Sequence, residues 1–125
     1  MVRVLIADDH RLFAEALRAI LGAEPRVDVV GLATSGADAV RQTAELEPDV
    51  VLMDISMPDL DGFEATRRIM TQRPDTHVLM VTGSDARQDV DAARSAGAAG
   101  YVTKDRIAAE LIRAIFDVTD SPPVP

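Results

Sequence analysis

The chain has no cysteine among its 125 residues. That absence removes disulfide scaffolds, thiolate metal centres and cysteine nucleophiles together. No apolar run approaches the roughly 18 residues that a bilayer-spanning helix needs. The opening, Met1-Val2-Arg3-Val4-Leu5-Ile6, meets Asp8 and Asp9 too soon for a secretory leader. The expectation is a soluble cytoplasmic protein with no membrane contact. Positive charge is also scarce: 13 Lys and Arg stand against 21 Asp and Glu, a net charge of −8. Direct nucleic-acid binding is not expected, because DNA affinity needs basic residues clustered on one face. There is no internal repeat, and no glycine-rich phosphate loop follows the first apolar run.

What is present is an ordinary globular mixture, 47% apolar and 27% charged. A chain of this mass buries about two-thirds of its unfolded surface, enough for one core and too little for two domains. The acidic excess is uneven. Residues 1–62 hold 5 basic and 12 acidic side chains, whereas residues 63–125 hold 8 and 9. The first half contains Asp8, Asp9, Asp54, Asp59 and Asp61. A solvated acidic face would account for such a surplus until the motifs are placed.

Short apolar runs alternate with stretches of helical period. Strands are expected over residues 2–7, 27–32, 50–53, 77–82 and 100–103. Helices are expected from about residue 12 to Gly22, from Ser35 to before Pro48, over 62–73, over 85–96 closed by Gly97, and over 105–116. Ser35 is a natural N-cap, and Pro48 disfavours helix in the residue before it. Residues 119–125 hold three of the seven prolines and read as a linker or tail, leaving residues 1–118 as one domain. The first, third and fourth strands are almost continuously apolar, as in a parallel sheet covered on both faces. Right-handed crossovers then give a doubly wound α/β domain.

In a parallel sheet all strands end on one edge, where ligands bind. The first strand ends at Asp8-Asp9, the third at Asp54, the fourth at Thr82 and the fifth at Lys104. Three carboxylates, a hydroxyl and an ammonium therefore share a rim. Crowded carboxylates repel, and a hard divalent cation relieves that repulsion; oxygen donors favour Mg²⁺. The chemistry suited to this set is attack of a carboxylate on phosphorus to give an aspartyl phosphate. Asp54, on the middle strand, is the best-placed nucleophile.

Asp8-Asp9, Met53-Asp54-Ile55-Ser56-Met57-Pro58-Asp59-Leu60-Asp61-Gly62, Val81-Thr82-Gly83 and Gly100-Tyr101-Val102-Thr103-Lys104 together resemble the receiver domain of two-component response regulators. The resemblance spans residues 2–117. Asp8-Asp9-His10 and Lys104-Asp105 are similar to receivers of the NarL/LuxR type, which precede helix-turn-helix output domains. It implies a flavodoxin-like sheet of order 2-1-3-4-5 with five helices. It implies Asp54 as phosphoacceptor from a histidine kinase, Asp9 as direct Mg²⁺ ligand and Asp8 acting mainly through water. By the same resemblance, the Ser56 backbone carbonyl is expected to complete the metal shell and Lys104 to pair with the phosphoryl group. The resemblance further implies Thr82 and Tyr101 as the switch pair, with a face formed by the fourth helix, fifth strand and fifth helix repacking toward dimerisation or release of an output domain. Arg87, Arg94, Arg106 and Arg113 are candidates for a charged docking face.

Blander readings stand beside these. Asp8 or Asp9 could cap the first helix, Thr82 could be an ordinary strand residue and Tyr101 core filler. His10 is read as a helix-start residue, because Mg²⁺ avoids imidazole. Pro58 holds Met57 extended, and Gly62 permits close approach of the next helix. Many receivers place proline after the lysine, with a cis bond. Asp105 stands there instead, which leaves that geometry open and makes Asp105 a candidate cap for the last helix. Other functions are a stand-alone receiver acting through protein contacts, an interaction module without phosphorylation, and a flavodoxin relative. A haloacid-dehalogenase-like phosphohydrolase is a further alternative; such enzymes carry Asp-x-Asp where this chain has Asp54-Ile55-Ser56.

Overall fold

The computed structural model describes residues 1–83 and 87–119. Strands β1 (Val2–Ala7), β2 (Val27–Ala33), β3 (Val50–Asp54), β4 (His77–Thr82) and β5 (Gly100–Thr103) alternate with helices α1 (Arg11–Gly22), α2 (Gly36–Leu46), α3 (Gly62–Gln72), α4 (Arg87–Ala96) and α5 (Ile107–Thr119). The sheet is parallel throughout, in the order β2-β1-β3-β4-β5.

The central strands are apolar on both faces because both faces are covered. Side chains of a strand alternate between faces, so each strand feeds two cores. Val4, Ile6, Leu52, Leu79 and Val81 pack with Leu17 and Leu21 of α1 and with Leu111 and Ile115 of α5. Leu5, Ala7, Val51, Met53, Val78 and Met80 pack on the opposite face with Ala39 of α2, Ala65 and Ile69 of α3, and Ala93 of α4. Residues Val50–Asp54 are all buried, which fixes β3 at the centre and holds its last residue at the sheet edge.

Local chemistry sets the helix ends. The Ser35 side chain accepts the Asp38 N–H at 3.1 Å, and Asp61 accepts the Glu64 N–H at 2.9 Å, each capping its helix. Glu47 takes a left-handed conformation (φ 50°) after α2, and Gly97 (φ 104°) closes α4.

Several boundaries differ from the sequence reading. β2 runs on to Ala33, β3 includes Asp54, and α3 stops at Gln72. The last helix begins at Ile107 rather than Asp105, because Lys104–Arg106 tighten into a 3₁₀ turn entered from Thr103. Asp105 therefore lies inside that turn and is not the cap. No peptide bond among the described residues is cis, so Lys104–Asp105 is trans. Thr119, read as the start of the tail, is the last residue of α5. The expected start of α4 at Asp85 and the tail residues 120–125 lie outside the described residues.

Candidate functional site

Strand register assembles the rim. Ala7 pairs with Met53, which sets Asp8 beside Asp54. Asp54 pairs with Val81 and Thr82 with Thr103, bringing Thr82 and Lys104 to the same edge. The Lys104 ammonium reaches across to both inner carboxylates, 3.6 Å from Asp8 Oδ2 and 3.7 Å from Asp54 Oδ1. Its Nζ also lies 4.4 Å from the centre of the Phe13 ring on α1. An aromatic face attracts such a cation, so α1 helps to hold it over the carboxylates. Lys104 is the only lysine in the chain; the other twelve basic residues are arginine. That sequence signal was open to reading, because a compact ammonium offers a point charge where the planar guanidinium would demand a fork.

Burial makes this charge distribution costly. Asp8, Asp54 and Thr82 are 2%, 3% and 6% exposed. Asp8 Oδ2 and Asp54 Oδ2 are buried without a hydrogen-bond partner. Burial, followed by the negative charge of Asp8, raises the Asp54 pKa above its ordinary value; Lys104, the Ser56 backbone N–H and His10 pull the other way. The Asp54 carboxylate is thus left short of positive charge.

His10 is the residue the sequence reading undervalued. It occupies the N-cap of α1, as expected of a helix-start residue, yet its side chain makes no cap hydrogen bond. Its main-chain N–H donates to Asp8 Oδ1 at 2.7 Å. Its ring turns inward, with Nδ1 at 3.2 Å from Asp8 Oδ1, 3.3 Å from Asp9 Oδ1 and 3.5 Å from Asp54 Oδ2. Neither Asp8 nor Asp9 caps α1.

Asp8, Asp9, His10 and Asp54 each present a ligand atom, all within 4.8 Å of one another. Buried carboxylate oxygens lacking donors, in a set dominated by hard oxygens, fit a divalent cation. Asp9 lies at the exposed rim of the set and Asp8 at its floor. Ser56 is exposed in the loop after β3. Asp59 and Asp61 are not in the cluster. Asp59 (φ 63°) accepts the Ala37 N–H at 3.3 Å at the start of α2, and Asp61 caps α3. Gly62 lies tight against β3: a Cβ there would stand 2.2 Å from the Asp54 carbonyl oxygen. Tyr101 is half-buried against the core that contains Ala93 of α4. Arg87, Arg94, Arg106 and Arg113 are exposed.

The fold has counterparts among known proteins. The response regulator receiver domain family matches residues 4–116, and the chain belongs to that family. The response regulator GacA of Pseudomonas viridiflava is 42% identical over 115 residues, which are 92% of this chain and 54% of that protein. The DNA-binding transcriptional activator DevR/DosR of Mycobacterium tuberculosis is 40% identical over 118 residues, 94% of this chain and 54% of that protein. Among solved structures, a two-component response regulator of the LuxR family from Aurantimonas sp. SI85-9A1 superposes with a TM-score of 0.92 at 34% identity, covering 96% of this chain and 86% of that one. The chain spans about half the length of the curated relatives it matches. Among the described residues no helix is long and apolar enough to cross a membrane.

Proposed function

We propose that Asp54 accepts a phosphoryl group from the phosphohistidine of a partner histidine kinase. A carboxylate oxygen of Asp54 forms the new bond to phosphorus as the phosphorus–nitrogen bond breaks, and the kinase imidazole leaves. The product is an acyl phosphate on the central strand. The observation that carries this reading is a buried, under-compensated carboxylate at the end of β3 with an ammonium 3.7 Å away. Lys104 neutralises charge on the incoming phosphoryl oxygens, and Thr82 donates a hydrogen bond to one of them. Asp8, Asp9, Asp54 and the Ser56 carbonyl are the residues that would hold Mg²⁺. When bound, that ion supplies charge neutralisation at the transferring group and orients it.

Movement of the Thr82 hydroxyl toward phosphate frees space into which Tyr101 turns, and the surface around α4, β5 and α5 repacks. That change controls dimerisation or an output module, by analogy with relatives that regulate transcription. Residues 1–119, through the end of α5, form the receiver and residues 120–125 a linker or tail, in the cytoplasm. The only chemistry is self-phosphorylation and hydrolysis of the aspartyl phosphate, without turnover of an external substrate. The alternative is a receiver acting alone through protein contacts.

Incubation with acetyl phosphate and Mg²⁺ tests the acceptor. Intact-mass measurement should show a gain of about 80 Da in the wild-type chain and none in Asp54→Asn. A gain of equal size in the variant refutes the assignment.

A further inference from the structure

We propose that His10 enters the coordination shell through Nδ1 and tunes this site toward borderline transition-metal dications, Mn²⁺ through Zn²⁺, relative to Mg²⁺. The inference rests on reading the carboxylate cluster as a cation site and adds a nitrogen donor to it. An octahedral shell with bonds of about 2.1 Å sets neighbouring donors about 3 Å apart. His10 Nδ1 stands 3.2, 3.3 and 3.5 Å from oxygens of three different carboxylates. It thus holds the place of a neighbouring donor to each, at separations slightly wider than a closed shell requires. Asp8 and Asp54 are almost fully buried; Asp54 Oδ2, one of the three oxygens that face Nδ1, has no hydrogen-bond partner, whereas the unsatisfied Asp8 Oδ2 lies toward Lys104 at 3.6 Å. That buried Asp54 oxygen is the independent sign that a cation belongs here.

The backbone makes the placement firm. The His10 N–H donates to Asp8 Oδ1 at 2.7 Å, so the chain turns tightly at the end of β1 and aims the imidazole back at the cluster. The ring is 60% exposed, free of cap duty and not part of either core, so little besides the cluster constrains it. Magnesium binds imidazole poorly, whereas affinity for a nitrogen-containing site rises from Mn²⁺ toward Ni²⁺ and Cu²⁺. Adding one imidazole to three carboxylates therefore leaves Mg²⁺ affinity nearly unchanged and raises that of the later ions.

The test uses the full chain at about pH 8, which limits competition of protons for the donor atoms. Mn²⁺ is the probe for electron spin-echo spectroscopy, and Mg²⁺ and Ni²⁺ are titrated by calorimetry. The chain has two histidines, and His77 starts β4 at the opposite edge of the sheet, so His77→Asn is the control. Bound Mn²⁺ should show nitrogen modulation in wild type and in His77→Asn, and none in His10→Ala. In His10→Ala, Ni²⁺ should bind at least about tenfold more weakly, while Mg²⁺ affinity moves by less than about twofold. Absence of the nitrogen signal from wild type, or equal loss of Mg²⁺ and Ni²⁺ affinity, overturns the role of His10 and leaves the carboxylate site standing. Mg²⁺ binding that survives Asp9→Asn and Asp54→Asn unchanged overturns the carboxylate site itself, and the role of His10 with it.

Discussion

Replacing Asp54 with asparagine should make the metal-free protein more stable at neutral pH, although it removes the proposed acceptor. Asp54 is 3% exposed, its Oδ2 lacks a donor, and the 2%-exposed Asp8 lies beside it. Asparagine keeps the shape and exchanges an ionised oxygen for a neutral amide. Unit charges about 4 Å apart interact by about 4 kcal/mol at an effective dielectric of about 20. Repulsion from Asp8 and attraction to Lys104 at 3.7 Å have opposite signs and that order of size. What remains is the burial of a carboxylate short of donors, which costs about 1–3 kcal/mol. Asp54→Asn should recover that amount, or roughly 4 °C in Tm for each kcal/mol at this chain length.

The pH dependence fixes the sign. Burial and Asp8 raise the folded-state pKa of Asp54, so the ionised carboxyl is disfavoured in the folded protein. The penalty is absent below the ordinary carboxylate range near pH 4. It grows as pH rises through the raised folded value and is complete above it. Urea unfolding in chelator should therefore show wild type and Asp54→Asn converging in acid and separating toward neutral pH, with the variant ahead. Saturating Mg²⁺ should narrow or reverse the order, since a ligand at a hundredfold its Kd adds about 2.7 kcal/mol to the form that binds it. An offset identical at every pH, or a variant less stable at neutral pH without metal, would show that the Asp54 carboxylate carries no burial penalty.

Three further outcomes follow from named contacts. Lys104→Met leaves two buried carboxylates without their ammonium; it should destabilise by about 3–5 kcal/mol at neutral pH, and the loss should shrink in acid as carboxyls protonate, as read by urea melts. Gly62→Ala forces a methyl group against the Asp54 carbonyl and should cost about 3 kcal/mol by thermal unfolding; a cost near zero would mean α3 is not clamped to β3. Thr82→Ala should still gain phosphoryl mass from acetyl phosphate but lose the accompanying change in tyrosine emission. Tyr101 is the only tyrosine and there is no tryptophan, so the signal is unambiguous, and an unchanged emission response in Thr82→Ala would break the switch pairing.

Most of the architecture was legible because it rests on patterns local in sequence. Val50 to Met53 could only be a buried strand, and the polar residue after each apolar run marked the working edge. Asp8, Asp54, Thr82 and Lys104 were found that way, without knowledge of side-chain direction. What stayed hidden depends on contacts between distant segments. The inward turn of His10 requires Asp54, 44 positions later, to stand beside Asp8. The seat of Lys104 over Phe13 joins the fifth strand's end to the first helix. The acidic surplus in the first half divides by geometry that composition does not encode: Asp8, Asp9 and Asp54 converge, whereas Asp59 and Asp61 serve the starts of α2 and α3. Asp105 had the chemistry of a cap, but the 3₁₀ turn at Lys104–Arg106 carries the chain past it before α5 begins.

The solitary ε-amine has a practical side. Lysine-selective acylating reagents find one target side chain in these residues, and it is 23% exposed at the lip of the acidic pocket. Its labelling rate would report how tightly that pocket is closed, with no engineered handle and no neighbouring lysine to blur the count.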